Sequence, residues 1–170
     1  MFLRKVETAF EEALHIVRPH YPRWARGAAR ALDRLMWPDC DVIEWGSGGS
    51  TPWLAKRCGT IVSIEHDKGY YAKAVTAVEG FSHALVLLRD KCYADCWPVD
   101  VMIVDGIQRH ECAMAAVRAL RAGGILVIDD IGRYDWDDFW TQTRSWRVEA
   151  WKRGKIRETL ILRKPKEQGG

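Results

Sequence analysis

Short apolar runs in this chain end repeatedly in acid. Glu44 closes Val42-Ile43, Glu65 closes Ile61-Val62-Ser63-Ile64, Asp90 follows a third run, Asp105 a fourth, and Asp129 with Asp130 ends a fifth. A carboxylate can accept hydrogen bonds from hydroxyls, take a proton or hold a cation, and sheet interiors reject unpaired charge. Acids delivered this regularly point to one working rim. The first of them opens directly into Trp45-Gly46-Ser47-Gly48-Gly49-Ser50-Thr51. Gly46 and Gly48 have no Cβ, which lets the backbone turn sharply and approach a ligand closely. Glu65 follows the first glycine by about 20 residues, the separation at which a carboxylate accepts both hydroxyls of a ribose in a βαβ nucleotide-binding unit.

The ligand class follows from what surrounds the turn. A dinucleotide fingerprint wants a third glycine where this chain has Thr51, and no Gly-Lys-Ser/Thr is present to hold a triphosphate. Glu44 at the head of the turn sits poorly beside a pyrophosphate and suits a cationic amino-acid moiety. The pattern Glu44-Trp45-Gly46-Ser47-Gly48 resembles the first motif, acidic-x-Gly-x-Gly, of the class I (Rossmann-like) S-adenosylmethionine-dependent methyltransferases. The resemblance implies that Gly46, Ser47 and Gly48 face the methionine portion, that Glu44 supports its amino group, and that Glu65 holds the ribose. His66 could flank the adenine, while Asp67 reads as the cap of the helix that follows. Asp90 could reach the adenine amine, or be a solvated charge in Arg89-Asp90-Lys91.

A second constellation lies downstream. Val101 to Gly106, then a helix, then Gly123 to Asp130 is similar to the small O-methyltransferases of the catechol and caffeoyl-CoA type. That resemblance implies Asp105, Asp129 and Asp130 as catalytic-rim residues, and as ligands of a divalent cation such as Mg²⁺ in the metal-dependent members. Asp130 stands where Asn is frequent, and Gln108 where metal-independent relatives often carry His. These departures favour a side-chain base without a bound metal, with His110 a further candidate base and a helix-surface histidine its alternative. Three acids so close cannot all stay ionised without a cation or positive partner.

The elements that must position these residues alternate along the chain. Apolar runs at 41–45, 60–65, 84–88, 99–104 and 124–129 read as strands, with helices at 50–57, 68–79 and 108–121. Such alternation argues a parallel sheet wrapped by helices on both faces. Runs at 147–151 and 156–162, joined by Lys152-Arg153-Gly154-Lys155, read as an antiparallel hairpin. The expected fold is therefore α/β, a doubly wound, mostly parallel Rossmann-like methyltransferase sheet with a C-terminal hairpin, and the hairpin distinguishes it from a dehydrogenase. Phe2, Val6, Phe10, Leu14 and Val17 recur at helical spacing, Pro19 and Pro22 end that helix, and a second is expected over 24–35. One domain is expected over 1–170, with N-terminal helices in 1–37 and the core in 41–164.

Composition narrows the classes. Hydrophobic residues make up 48% and charged residues 29%, values typical of a globular chain. A net charge of +3 does not argue for nucleic acid, and no apolar run approaches the roughly 20 residues of a membrane span. The first residues are charged and do not read as a signal peptide, so a cytoplasmic location and a small-molecule acceptor are expected. Five cysteines at irregular spacing suggest no disulfide framework, and Cys92, Cys96, His110 and Cys112 fit no common zinc pattern. Among nine tryptophans, Trp136 and Trp140 follow the acidic rim, as an acceptor wall or as packing for the last helix. The expected activity is methyl transfer from S-adenosylmethionine to an oxygen or nitrogen of a small molecule. An accessory nucleotide-binding protein and, less well matched, a nicotinamide-dependent oxidoreductase are the alternatives.

Overall fold

A computed structural model describes residues 20–90, 94–154 and 157–167. The strands are β1 (Asp41–Trp45), β2 (Thr60–Glu65), β3 (Ala84–Leu88), β4 (Val101–Val104), β5 (Ile125–Asp129), β6 (Arg147–Arg153) and β7 (Glu158–Arg163). They form a single sheet in the order β3-β2-β1-β4-β5-β7-β6. The first five are parallel, β7 runs antiparallel to β5, and β6 runs antiparallel to β7. The order reverses between β1 and β4, the switch point outside which open α/β sheets bind ligands.

The helices are α1 (Ala28–Asp33), α2 (Ser50–Ala55), α3 (Lys68–Val78), α4 (Arg109–Ala119) and α5 (Asp137–Thr143). Strand alternation divides the core between the two faces. Ile43, Trp45, Met102, Val104, Leu126 and Ile128 face one side, where Cys112, Ala116 and Phe139 pack on them. Val42, Val101, Ile103, Ile125 and Val127 face the other, against Leu32, Trp53 and Leu54. Central strands buried on both faces read as continuous apolar runs, which is why they were visible in the sequence.

Several boundaries differ from expectation. The helix expected over 24–35 starts only at Ala28, because Gly27 takes a left-handed φ of 86° and Trp24 and Ala25 before it are held by Asp105 and Thr159. The strand expected from Val99 starts at Val101, since the Asp100 carboxylate accepts the Asp41 amide at 2.9 Å and caps the start of β1. The helix expected over 2–17 lies outside the described residues, as does Cys92. Trp136 is 4% exposed, belongs to the core and donates its indole N–H to the Ile131 carbonyl at 2.6 Å, so it packs α5 rather than walling an acceptor. Trp140 stacks edge-on against Phe139, with ring centroids 5.4 Å apart. Among the described residues no helix is long and apolar enough to cross a membrane.

Phe139 is completely buried where α5 meets the sheet. Phe139→Ala should cost about 3–5 kcal/mol of stability through lost transfer energy and the cavity left behind. Urea unfolding followed by circular dichroism should show a lower midpoint with an unchanged slope.

Candidate active site

The turn after β1 is fixed by backbone contact. Gly46 has φ 97°, and a Cβ there would sit 2.6 Å from the Gly106 nitrogen, inside the backbone that follows β4. The loops after the two strands at the switch point therefore touch main chain to main chain. Gly48 is different: a Cβ at that position would meet nothing within 4 Å. Between these loops and α3 lies a cavity of about 590 Å³, lined by residues 46–50, Glu65, His66, Tyr70 and Asp105–Ile107 with side chains from outside the sheet.

Glu44 lies beneath this turn and is fully buried. Its Oε2 accepts from the hydroxyls of Thr51 and Ser63, each at 2.7 Å. Thr51 Oγ1 in turn accepts the Gly48 amide at 3.1 Å, so Glu44 holds the shape of the glycine turn through Thr51. That explains why a threonine stands where a dinucleotide motif has glycine. Burial pushes the Glu44 carboxyl up to about 7, partly offset by the hydroxyls of Ser50, Thr51 and Ser63, and raised further by Glu65.

Glu65 ends β2 at the cavity wall, 3% exposed. Its Oε2 accepts from the Ser47 amide at 2.7 Å and the Ser47 hydroxyl at 3.1 Å. Its Oε1 accepts from the amides of His66 and Asp67, both at 2.8 Å, and lies 2.9 Å from His66 Nδ1. The carboxylate thus stitches the glycine turn to the loop after β2. Asp67 caps α3 by accepting the Tyr70 amide at 2.8 Å, as its position suggested. Asp90 is exposed in the bend after β3 and is not among the described lining residues.

The acids after β4 and β5 are brought together around an arginine. Arg109, 11% exposed at the start of α4, lies 3.2 Å from Asp105 Oδ1 and 3.3 Å from Asp130 Oδ2, and donates to the Asp129 carbonyl. The positive partner shared by the Asp105 and Asp130 carboxylates is this guanidinium. Asp105 alone of the three lines the cavity, and its Oδ2 accepts the Trp24 indole N–H at 3.1 Å. Burial, then Asp129, raises its pKa well above the ordinary value, against the pull of Arg109. Asp129 turns inward: Oδ1 accepts from the Thr159 hydroxyl at 2.5 Å, and Oδ2 lies 3.5 Å from Arg157 Nη1. Thr159 Oγ1 also accepts the Ala25 amide at 2.8 Å. Burial raises the Asp129 pKa too. Asp130 has a left-handed φ of 54° and pairs with Arg133 at 3.1 Å as well as with Arg109.

His110 lies apart from these acids. Its Nε2 is 2.8 Å from Asp138 Oδ1 and its ring packs on Trp136, a bond between α4 and α5. Among the described residues no group of His, Cys, Asp or Glu is arranged to hold a metal ion. Sequence reasoning missed Arg109, Trp24 and Thr159: the Trp24 and Thr159 contacts span 81 and 30 residues, whereas Arg109 lies four residues after Asp105, a local spacing that could have shown it.

No family model and no curated protein matches the sequence. Solved structures do match. The N-methyltransferase NodS from Bradyrhizobium japonicum WM9, in complex with S-adenosyl-L-homocysteine, is 19% identical with a TM-score of 0.63, over 83% of this chain and 87% of that one. An rRNA methylase from Streptococcus thermophilus is 14% identical with a TM-score of 0.63, over 82% and 95%. A TehB-like SAM-dependent methyltransferase from Corynebacterium glutamicum is 17% identical with a TM-score of 0.60, over 98% and 100%. This is the methyltransferase fold. Its glycine turn, β2 carboxylate and β4 loop surround the cavity here. These matches span N-methyltransferases and rRNA methylases and do not single out the catechol and caffeoyl-CoA group.

The Glu44 carboxyl titrates higher folded than its ordinary value of 4.5. The folded state then holds the proton more tightly, so this contribution to stability is complete below 4.5 and lost as pH rises through about 7. Asp105 and Asp129 act in the same direction. Relative to wild type, Glu44→Gln should flatten the decline in stability between about pH 5 and about pH 8 by about 3 kcal/mol. Urea titrations across that range measure it, and parallel pH curves for the two proteins would refute it.

Proposed function

We propose that the protein is an S-adenosylmethionine-dependent methyltransferase acting on an oxygen or nitrogen of a small molecule. The observation that carries this reading is the cavity at the switch point, bounded by a glycine turn whose second glycine faces open space and by a buried carboxylate at the end of β2. Those residues fit the cofactor. Gly48 leaves room that a Cβ would fill, Gly46 lets the floor close on the β4 loop, and Glu65 is aimed by five donors at one edge. Within that reading Glu65 holds the ribose, with the Ser47 hydroxyl and the His66 ring giving up their places on it, since a carboxylate has only about four acceptor sites.

S-adenosylmethionine supplies a methyl group on a sulfonium sulfur that departs with the bonding pair. The protein's part is to align an acceptor, exclude water and receive a proton. Asp105 is the residue for the last task. It borders the cavity, its two oxygens are fixed by Trp24 and Arg109, and burial raises its affinity for a proton. Asp129 serves instead to fasten the segment before α1 to β7 through Thr159. Asp130 and His110 hold Arg109 and α5 in place.

S-adenosylhomocysteine should raise the melting temperature by mass action on the folded state, and NAD should not. Gly48→Val, which strains no backbone, should leave the melting temperature of the free protein near wild type and abolish that rise. Glu65→Ala should weaken the ligand by roughly 1–3 kcal/mol. Calorimetric titration tests all three, and stabilisation by NAD but not by the adenosyl ligand would reject the reading.

A further inference from the structure

The charges on the cavity wall are not balanced. Its two carboxylates, Glu65 and Asp105, have their oxygens occupied by donors of the protein itself. Three cations from three separate segments line the same cavity: Arg23 before α1, Lys73 on α3 and Arg157 ahead of β7. Arg157 shares its charge with Asp129 at 3.5 Å. Arg23 and Lys73 form no ion pair among the described residues, and Lys73 rests 5.5 Å above the Tyr70 ring. His20 lines the same wall. A concave site with low-dielectric walls focuses such a field and draws in ligands of the opposite sign.

We propose that the acceptor methylated in this cavity is a small anion, carrying a carboxylate or phosphate beside its nucleophilic oxygen or nitrogen, and that Arg23, Lys73 and Arg157 select it. This rests on the methyltransferase reading and adds a substrate class to it. An arginine offers paired N–H donors to a carboxylate or phosphate, and a lysine a point charge, so together they orient the anion as well as attract it. The anion fixed at this wall leaves the neighbouring hydroxyl or amine to Asp105. A neutral or cationic acceptor would gain nothing from three cations. A concave site of about 590 Å³ suits a small molecule rather than a polynucleotide, whose binding surfaces are broad and strongly basic, whereas the net charge here is +3.

The experiment titrates benzoate, phenyl phosphate and benzylammonium by ligand-observed NMR, into free protein and into protein saturated with S-adenosylhomocysteine. Benzoate or phenyl phosphate should bind in both states, the stronger of the two naming the anion, and benzylammonium should not. Arg23→Gln and Lys73→Gln, both at exposed positions, should each weaken the anion roughly three- to tenfold without altering S-adenosylhomocysteine affinity. Binding indifferent to ligand charge overturns the proposal. So does displacement of benzoate by S-adenosylhomocysteine, because the cations would then serve the cofactor's own carboxylate. A short single-stranded RNA held far more tightly than phenyl phosphate also overturns it. If S-adenosylhomocysteine fails to bind at all, the methyltransferase reading falls, and with it the assignment of the anion as an acceptor. The benzoate titration into free protein still decides whether the wall is an anion site.

Discussion

A carboxylate taken out of water costs several kcal/mol unless donors or cations inside the protein replace the solvent, and five of them stand at the carboxyl end of this sheet. Each is answered by donors of the protein itself. Glu44 draws Thr51 and Ser63, Glu65 draws the turns after β1 and β2, and Asp105 draws Trp24 and Arg109. Asp129 draws Thr159 and Arg157, while Asp130 draws Arg109 and Arg133. The loops above the sheet lie where these needs put them. The cavity is the space left between them.

That same demand divides the rim in two. On the side of β1, β2 and β4 the donors are mostly backbone amides and small hydroxyls, which satisfy a carboxylate without filling the space beside it. Beyond β4 the partners are arginines, a tryptophan and a threonine, and apart from Arg157 none of them lines the cavity. The residues before α1 are drawn across this part by the Trp24 indole and the Ala25 amide, which is why α1 starts late. Only Asp105 belongs to both halves: it is held by the bulky partners and still borders the cavity.

The parallel core was legible because its signals are local. β1, β2 and β3 end where an apolar run meets a glycine, an acid or an arginine, and the helices between them follow at short spacing. The hairpin was legible in kind, although its second strand inserts between β5 and β6 and so forms the inner of the two. The acids were legible as a set, but their orientation was not. Nothing near Asp129 in sequence says that its carboxyl turns inward to Thr159, 30 residues away, or that Trp24 reaches Asp105 across 81. Trp136, read as an acceptor wall or as packing for the last helix, takes the second role, with its indole on the Ile131 carbonyl and its ring against Phe139. Side-chain direction depends on partners that only the tertiary fold supplies.

Arg109 shows how much the rim depends on such a partner. Among the described residues two non-glycine residues have left-handed backbone, Gln108 and Asp130, and they are its preceding neighbour and one of its ion-pair partners. A residue held there costs of order 1–3 kcal/mol and persists only where its surroundings overdetermine it. Gln108 turns the chain so that α4 begins with its arginine directed back at the strand ends, and Asp130 bends the exit of β5 to meet it. The guanidinium then binds the carbonyls of Asp105 and Asp129 as well as two side chains, so it ties the ends of adjacent parallel strands to each other. A point charge could neutralise the acids, but it could not fix their relative orientation, because that takes a planar group with donors in several directions. The rim therefore keeps one carboxylate aimed at the cavity and withdraws two, an asymmetry that three identical side chains would not adopt without the arginine among them.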